Sequence, residues 1–395
     1  MKSVIEALET IFTYPWKPGI EEVDIWHVLG RVLAKEVTAD RDLPPFERVA
    51  MDGIAIKFSD FQKGTSAFKK SGIALAGIPP LTLREPGTAI EVMTGAVLPQ
   101  GADAVVRYED VKVLADTFHV QQSELKPFQH VHRQGSDARR GEVLLPIGCR
   151  ITPSEVPLLA SVGQSKVAVQ TLPSVALVST GDELVAVDQQ PLPHQIRSSN
   201  VHALVAGLSD FGIHPSVHHL GDQDVDLQRN LEQIINGSDL IILTGGVSKG
   251  KLDWVPQALE KAGIQKHFHQ VAQRPGKPLW FGTGSGKIVF ALPGNPVSVF
   301  LCLYKYIRPW LRHSLGAQQI PTQAVLSKDF TSDLPLTLFL QVKCLQQDGV
   351  VTAYPVPGGG SGDFANLRHI DGFLEIPPNA GVCSAGRAFP FIPVR

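Results

Sequence analysis

From Ser174 onward the chain alternates between two textures, and this alternation restricts its fold more than any other feature. "SVALVST", "SDLIILTGG" and "KIVFALPGNP" are continuous apolar runs of strand length. Between and after them lie "NVHALVAGLSDFG", stopped by Gly212, then "DVDLQRNLEQIIN", "DWVPQALEKAG" and "VSVFLCLYKYIRPWL", all with helical spacing. Strands that are apolar on both faces and separated by helices predict a parallel sheet covered on both sides. Ligands of such sheets gather beyond the carboxyl ends of the strands. Three loops qualify: "STGDEL" at 179–184, the glycine stretch from Gly245, and "LPGNPVS" at 292–298.

The flanking regions read differently. Residues 1–40 read as helical, with Ile25, Val28, Leu29, Val32 and Leu33 forming one stripe. A second helix start lies at "TPSEVPLLASVG", with Thr152 as N-cap, Pro153 in the first turn and Glu155 completing a capping box. Between them "GTAIEVMTGAVLP", "ADAVVRYEDVKVL" and "DTFHVQ" are short strand-like pieces separated by turns. Beyond Gly316 the helical pattern ends and strand patterns follow, with Asp348-Gly349 as a hairpin turn. The expected domains are a linker domain (1–42 and 140–172), an inserted β-rich domain (43–139), an α/β domain (173–316) and an all-β domain (317–395).

The loop from Gly245 reads G-G-V-S-K-G-K-L, which is G-x-x-x-x-G-K without the Ser or Thr a P-loop uses to hold magnesium. Leu252 stands in that place and Asp253 follows one position late. Exposed N–H groups at three glycine-bearing strand ends can together hold a phosphate-like anion. Asp182, Glu183 and Asp253 add carboxylates to the same rim, where helix capping or plain solvation is the competing explanation for each. "QRPGKP" places Arg274 and Lys277 on either side of a Pro-Gly turn, a fixed pair of cations suited to a small dianion. In the inserted domain Asp52, Thr94 and Asp137 each neighbour a glycine or lie in a turn-rich stretch, a pattern that turns alone also produce.

Several classes are excluded. The four cysteines are widely spaced with no C-x-x-C pair, which rules out a zinc ribbon or a dithiol redox motif and suits reduced thiols. A formal charge of −2 carries no whole-chain footprint for nucleic acid. No apolar run approaches the ~20 residues of a membrane helix, and the start "MKSVIEALETIF" is no signal peptide, so a cytoplasmic protein is expected. The thirteen histidines, including His267 and His269 on one expected strand face, lack a zinc spacing.

In family order, "MDGIAI", "VMTGAVLPQGADAVV", "STGDEL", "TGGVSKGKLD", "RPGKP", "LPGNPVS" and "GGGSGDFANL" span nearly the whole chain. Together they closely resemble the molybdopterin molybdenumtransferase family, the MoeA-type enzymes that include the E domain of gephyrin. The resemblance implies a multidomain α/β protein: a three-layer molybdopterin-binding domain, an inserted β-rich domain, an elongated helical linker domain and a C-terminal β-barrel-like domain. It implies insertion of molybdate into the dithiolene of adenylylated molybdopterin, with release of AMP and a need for Mg²⁺. It also implies a homodimer and molybdopterin adenylyltransferase as pathway partner, with neither nucleic acid nor membrane. By matching position, Asp52, Thr94, Asp137, Glu183, Asp222 and Asp253 are the implied catalytic residues, with Asp253 and Glu183 also toward metal. Gly245, Gly246, Ser248, Arg274, Lys277, Ser298 and Ser361 are the implied binding residues.

Some positions depart from the family pattern. Gln341 stands where an arginine is common, Gln270 where many members have lysine, and Trp254 replaces a tyrosine. Arg274 replaces the lysine usual before "PG". The resemblance thus implies a less positive molybdate pocket, with Lys343 or Lys249 compensating. The competing functions are an adenylyltransferase sharing only the α/β domain, which the two β modules argue against, and a molybdopterin-binding scaffold without insertion activity.

Overall fold

The computed structural model describes residues 1–221, 226–247, 254–317, 320–358 and 360–395. They form two compact units. One comprises 1–34, 147–153 and 166–395; the other comprises 35–146 and 154–165.

The first unit is built on a six-stranded sheet. In spatial order its strands are Ser216–Leu220, Val175–Thr180, Leu240–Thr244, Lys287–Leu292, Trp280–Gly284 and Gln265–Phe268. The first four run parallel, as the apolar runs predict for three of them; Ser216–Leu220, an edge strand of sequence SVHHL that is mostly not buried, was not expected. The last two are antiparallel, so the sheet is mixed rather than wholly parallel. Trp280–Gly284 leads into Lys287–Leu292 through a tight turn at Ser285-Gly286 and needs no crossover helix, which is why helix–strand alternation did not reveal it.

Side chains alternate across the sheet. Leu177, Leu240, Ile242 and Phe290 enter one core with Leu204, Leu208, Trp310 and Tyr306. Val178, Ile241, Leu243, Val289 and Ala291 enter the other with Leu231, Ile235, Val255 and Leu259. Helices Asn200–Ser209, Pro296–Cys302 and Arg308–Ser314 therefore cover the first face, and Leu227–Asn236 and Val255–Lys261 the second. Each fully buried large side chain contributes about 1.5–3 kcal/mol. Trp254 packs partly buried against the second core.

The stripe over 25–33 is not helical. Helix is confined there to Val4–Phe12, capped by Ser3 and Glu6 in a reciprocal box. Pro15, Pro18 and Gly19 follow it, and strand Ile20–Asp24 pairs antiparallel with Lys166–Gln170. A single 3₁₀ turn spans Ile25–His27, and Leu33 bridges Val169. Val28, Val32 and Leu33 are buried by that pairing while Leu29 is exposed, so apolar spacing mimicked a helix face. The second expected helix runs Glu155–Ser161, but its N-cap is Ser154 rather than Thr152, so Pro153 precedes it and the expected capping box does not frame it.

The long segment read as one helix from Pro296 contains a π turn, Leu303–Ile307. Pro309 cannot donate to the carbonyl one turn back, which favours such a widening. The C-terminal strands form a six-stranded sheet together with Gln273–Arg274. Asp348 and Gly349 both have positive φ in the turn between Thr337–Gln347 and Val350–Pro355, as expected. His267 lies in strand Gln265–Phe268, hydrogen-bonded to Thr283 and stacked on Tyr14, whereas His269 lies beyond the strand and bonds the Val247 carbonyl.

The second unit holds a six-stranded sheet in the order Ala104–Arg107, Gly53–Ile56, Thr88–Val92, Ala67–Ala74, Thr117–Val120 and Val111–Leu114.

Candidate functional site

The carboxyl ends of Val175–Thr180, Leu240–Thr244 and Lys287–Leu292 open into one cleft. Its central lobe, about 560 Å³, is lined by Thr180, Gly181 and Glu183 from the first loop and Gly245, Gly246 and Val247 from the second. Pro293, Gly294, Asn295 and Ser298 come from the third, with the Arg274–Pro278 turn and Ser361 completing the wall. Seven of the expected residues thus meet in one place: Glu183, Gly245, Gly246, Arg274, Lys277, Ser298 and Ser361. Asp222, Ser248 and Asp253 lie outside the described residues.

Two further lobes share walls with the first. Arg274, Pro275 and Ser361 also line a space of about 610 Å³ bordered by Ser332, Asp333, Gln341 and Gly358. Thr180, Glu183, Gly245, Gly294 and Asn295 also line one of about 810 Å³ whose outer wall is Leu184, Val187, Ile196 and Phe364. Val187, Ile196 and Phe364 are exposed apolar side chains around that third lobe. Each lobe shares its inner wall with quoted motifs, but Val187 and Ile196 of the third lobe and Ser332 and Asp333 of the second were not singled out in the sequence, because those segments carry no motif.

Backbone geometry builds the glycine wall. Gly245 has φ of +93°, and a Cβ there would lie 2.7 Å from Thr180 Oγ1 and 2.9 Å from the Thr180 carbonyl. Only glycine lets this loop pass so close to the neighbouring strand end. Across the cleft, Asn295 Nδ2 donates to Ser361 Oγ at 2.7 Å, and Asn200 Nδ2 donates to the Gly294 carbonyl at 2.8 Å.

The cation turn is held from below. Lys2 N donates to the Gln270 carbonyl at 3.0 Å, and Ala272 N donates back to the Lys2 carbonyl at 2.7 Å. Gln273–Arg274 then pairs with Thr337–Leu338. Gln273, almost wholly buried, donates through Nε2 to the Gly276 carbonyl at 3.1 Å, while the Tyr306 hydroxyl from the π turn donates to its Oε1. The Arg274 and Lys277 side chains stay exposed, and among the described residues neither is in an ion pair. Gln273 and Tyr306 were missed in the sequence; a buried glutamine beside the charged turn was the available signal. Gln273→Leu should leave the Tyr306 hydroxyl without its acceptor and lower stability by about 1–3 kcal/mol, readable as a denaturant midpoint shift.

Gln341 lines the second lobe, its Oε1 accepting from Asn366 Nδ2 at 2.6 Å. Lys343, two residues on, is exposed and lines none of the three lobes, so it does not supply the charge expected of it. Lys249 lies outside the described residues.

Asp52, Thr94 and Asp137 belong to the second unit. Asp52 Oδ1 accepts from Thr94 N at 2.6 Å and Thr94 Oγ1 at 2.7 Å. The backbone donor first and the hydroxyl second hold the Asp52 carboxyl below the usual range. Any stability this gives is present above the unfolded-state pKa and lost as pH falls through the folded one. Thr94→Val removes the smaller of the two effects, so the Asp52 titration followed by carboxyl ¹³C NMR should move upward. Asp137 Oδ1 accepts from His132 Nε2 at 2.6 Å and Ser136 Oγ at 3.2 Å.

Among known families the chain matches three profiles in succession. "MoeA N-terminal region (domain I and II)" covers residues 2–163, "Probable molybdopterin binding domain" 176–313, and "MoeA C-terminal region (domain IV)" 323–394. The molybdopterin molybdenumtransferase of Synechocystis sp. is 37% identical over 99% of both chains. This chain belongs to the MoeA family of molybdopterin molybdenumtransferases. The Bacillus subtilis molybdopterin molybdenumtransferase is 30% identical, covering 99% of this chain and 94% of its own. A crystal structure of the molybdopterin biosynthesis MoeA protein of Pyrococcus horikoshii superposes with a TM-score of 0.84 at 27% identity, over 99% of both chains. A second from that organism gives 0.81 at 31%, over 100% of this chain and 99% of its own. The multidomain α/β architecture is that of MoeA proteins, a family of transferases in molybdenum cofactor biosynthesis. Among the described residues no helix is long and apolar enough to cross a membrane.

Proposed function

We propose that this chain inserts molybdate into the dithiolene of adenylylated molybdopterin and releases AMP, in the cytoplasm and as a homodimer, on substrate supplied by molybdopterin adenylyltransferase. The observation that carries this reading is the three-lobed cleft, where a glycine wall and two cations, neither in an ion pair among the described residues, face shared walls. An extended substrate with two ring systems joined through phosphates needs adjoining compartments of different character. The apolar third lobe suits a flat heterocycle, and the glycine N–H groups suit the phosphates.

Molybdate is a dianion and the dithiolene is anionic, so their approach needs fixed positive charge. Lys277 and Arg274 supply it from a turn anchored by a buried network, and Ser298 and Ser361 add hydroxyl groups. Gln341 lends the second lobe a neutral amide in place of charge. Asp52 and Asp137 are proposed to take part in the reaction, each with one carboxylate oxygen anchored and, among the described residues, the other without a hydrogen bond.

Mg²⁺ takes few protein carboxylates when phosphate oxygens and water complete its shell. Glu183 at the cleft wall fits that need, and Asp253 is proposed to join it; among the described residues no cluster of three ligating side chains exists. When bound, the ion would neutralise phosphate oxygens as the adenylate is cleaved.

Purified protein given adenylylated molybdopterin, Mg²⁺ and molybdate should release AMP only when molybdate is present. Pterin binding without molybdate-dependent release would replace this reading with the scaffold, and ATP-dependent adenylylation of free pterin would replace it with the adenylyltransferase. Sedimentation at twice the chain mass would support the homodimer.

A further inference from the structure

We propose that His132 is a positioning residue for Asp137, held by Arg48 in the form that donates from Nε2. Strands Arg48–Val49 and Val131–His132 pair antiparallel, with Arg48 directly opposite His132. Across this pair the Arg48 guanidinium lies 2.8 Å from His132 Nδ1, and His132 Nε2 lies 2.6 Å from Asp137 Oδ1. A guanidinium only donates hydrogen bonds. His132 Nδ1 must therefore accept, which leaves the ring's single proton on Nε2, facing the carboxylate.

The three groups form a directed chain. Arg48 fixes the tautomer and ring angle, and the ring holds Asp137 Oδ1, which Ser136 also contacts at 3.2 Å. Both bonds fall on Oδ1, so among the described residues Asp137 Oδ2 has no hydrogen bond and is free to meet a reactant. This bond is the largest cause lowering the Asp137 pKa, with Ser136 and the Arg48 charge adding to it, so the carboxylate stays ionised as it is oriented. Asp52 reaches a similar state by another route, through Thr94. Both carboxylates of this unit proposed to act in the reaction are thus presented with one oxygen tied. An ordinary surface ion pair would leave the acid free to swing.

This inference rests on the proposed role of Asp137 in the reaction. His132→Leu, similar in bulk but without a donor, should lower kcat about tenfold with little change in KM for the pterin. His132→Gln places an amide N–H near the Nε2 position and should recover most of that loss. Arg48→Met should lower kcat about threefold in the parent chain and have no further effect beside His132→Leu, the signature of groups acting in series. Independently of turnover, two-bond ¹H–¹⁵N spectra of full-length protein labelled at histidine should show His132 with Nδ1 bare and Nε2 protonated when neutral. Arg48→Met should raise the Nδ1-protonated share.

Parent-like kcat in His132→Leu, equal damage in the Gln and Leu variants, or a proton on Nδ1 in the parent chain would overturn the proposal. Normal turnover in Asp137→Asn would instead remove Asp137 from the reaction, a failure the histidine spectra tell apart.

Discussion

Lys277→Ala should reduce molybdate-dependent AMP release by about 10²–10³-fold, the usual effect of removing a preorganised charge from a reacting anion. Lys277 stands on a turn whose carbonyl at Gly276 is held by buried Gln273, itself bonded by Tyr306. The backbone that carries its side chain is held in place, and no carboxylate among the described residues already neutralises its ammonium. The side chain is exposed, so its removal should leave the thermal midpoint within about a degree of the parent, as surface substitutions usually do. Lys277→Arg should recover part of the rate, because charge returns with a different reach. Unchanged release in Lys277→Ala would place oxyanion recognition elsewhere.

Gly245→Val should abolish both activity and ligand-induced thermal stabilisation. A branched side chain at φ +93° is strained by about 1–3 kcal/mol. The Thr180 carbonyl and hydroxyl already fill the space its Cβ would take, so either the loop or the neighbouring strand end must shift. Any shift misplaces the N–H groups proposed to face phosphate. Gly263→Asn is the matched control, since Gly263 also has positive φ but nothing within 4 Å and lies outside the cleft. Stabilisation by the pterin substrate that persists in Gly245→Val would remove this loop from phosphate binding.

The α/β core was legible because each buried strand is a run of apolar residues. Leu240–Thr244 is buried at every position, a pattern few alternatives share. The cleft at its tip was legible for a related reason: "STGDEL", "TGG" and "LPGNPVS" are punctuation at equivalent ends, and the sheet brings them together. Trp280–Gly284 was hidden because "RPGKPLWFG" opens with turn residues, and a strand entered directly from a turn has no helix to announce it. The stripe from Ile25 misled because spacing of three and four also satisfies a short strand, a turn and a bridge. Gln273, His132 and Arg48 carry no motif. Their roles come from partners distant in sequence, 33 residues from Gln273 to Tyr306 and 84 from Arg48 to His132.

Cys302 sits directly beneath the cation turn, its sulfur 4.0 Å from Gln273 Nε2. Complete burial pushes its thiol up to about 12, so at cellular pH it stays protonated. A protonated, enclosed sulfur is a poor ligand for a soft metal and a poor target for oxidants. For a catalyst proposed to hand molybdenum to someone else's sulfurs, that placement keeps the thiol beneath its cation turn from competing for the cargo.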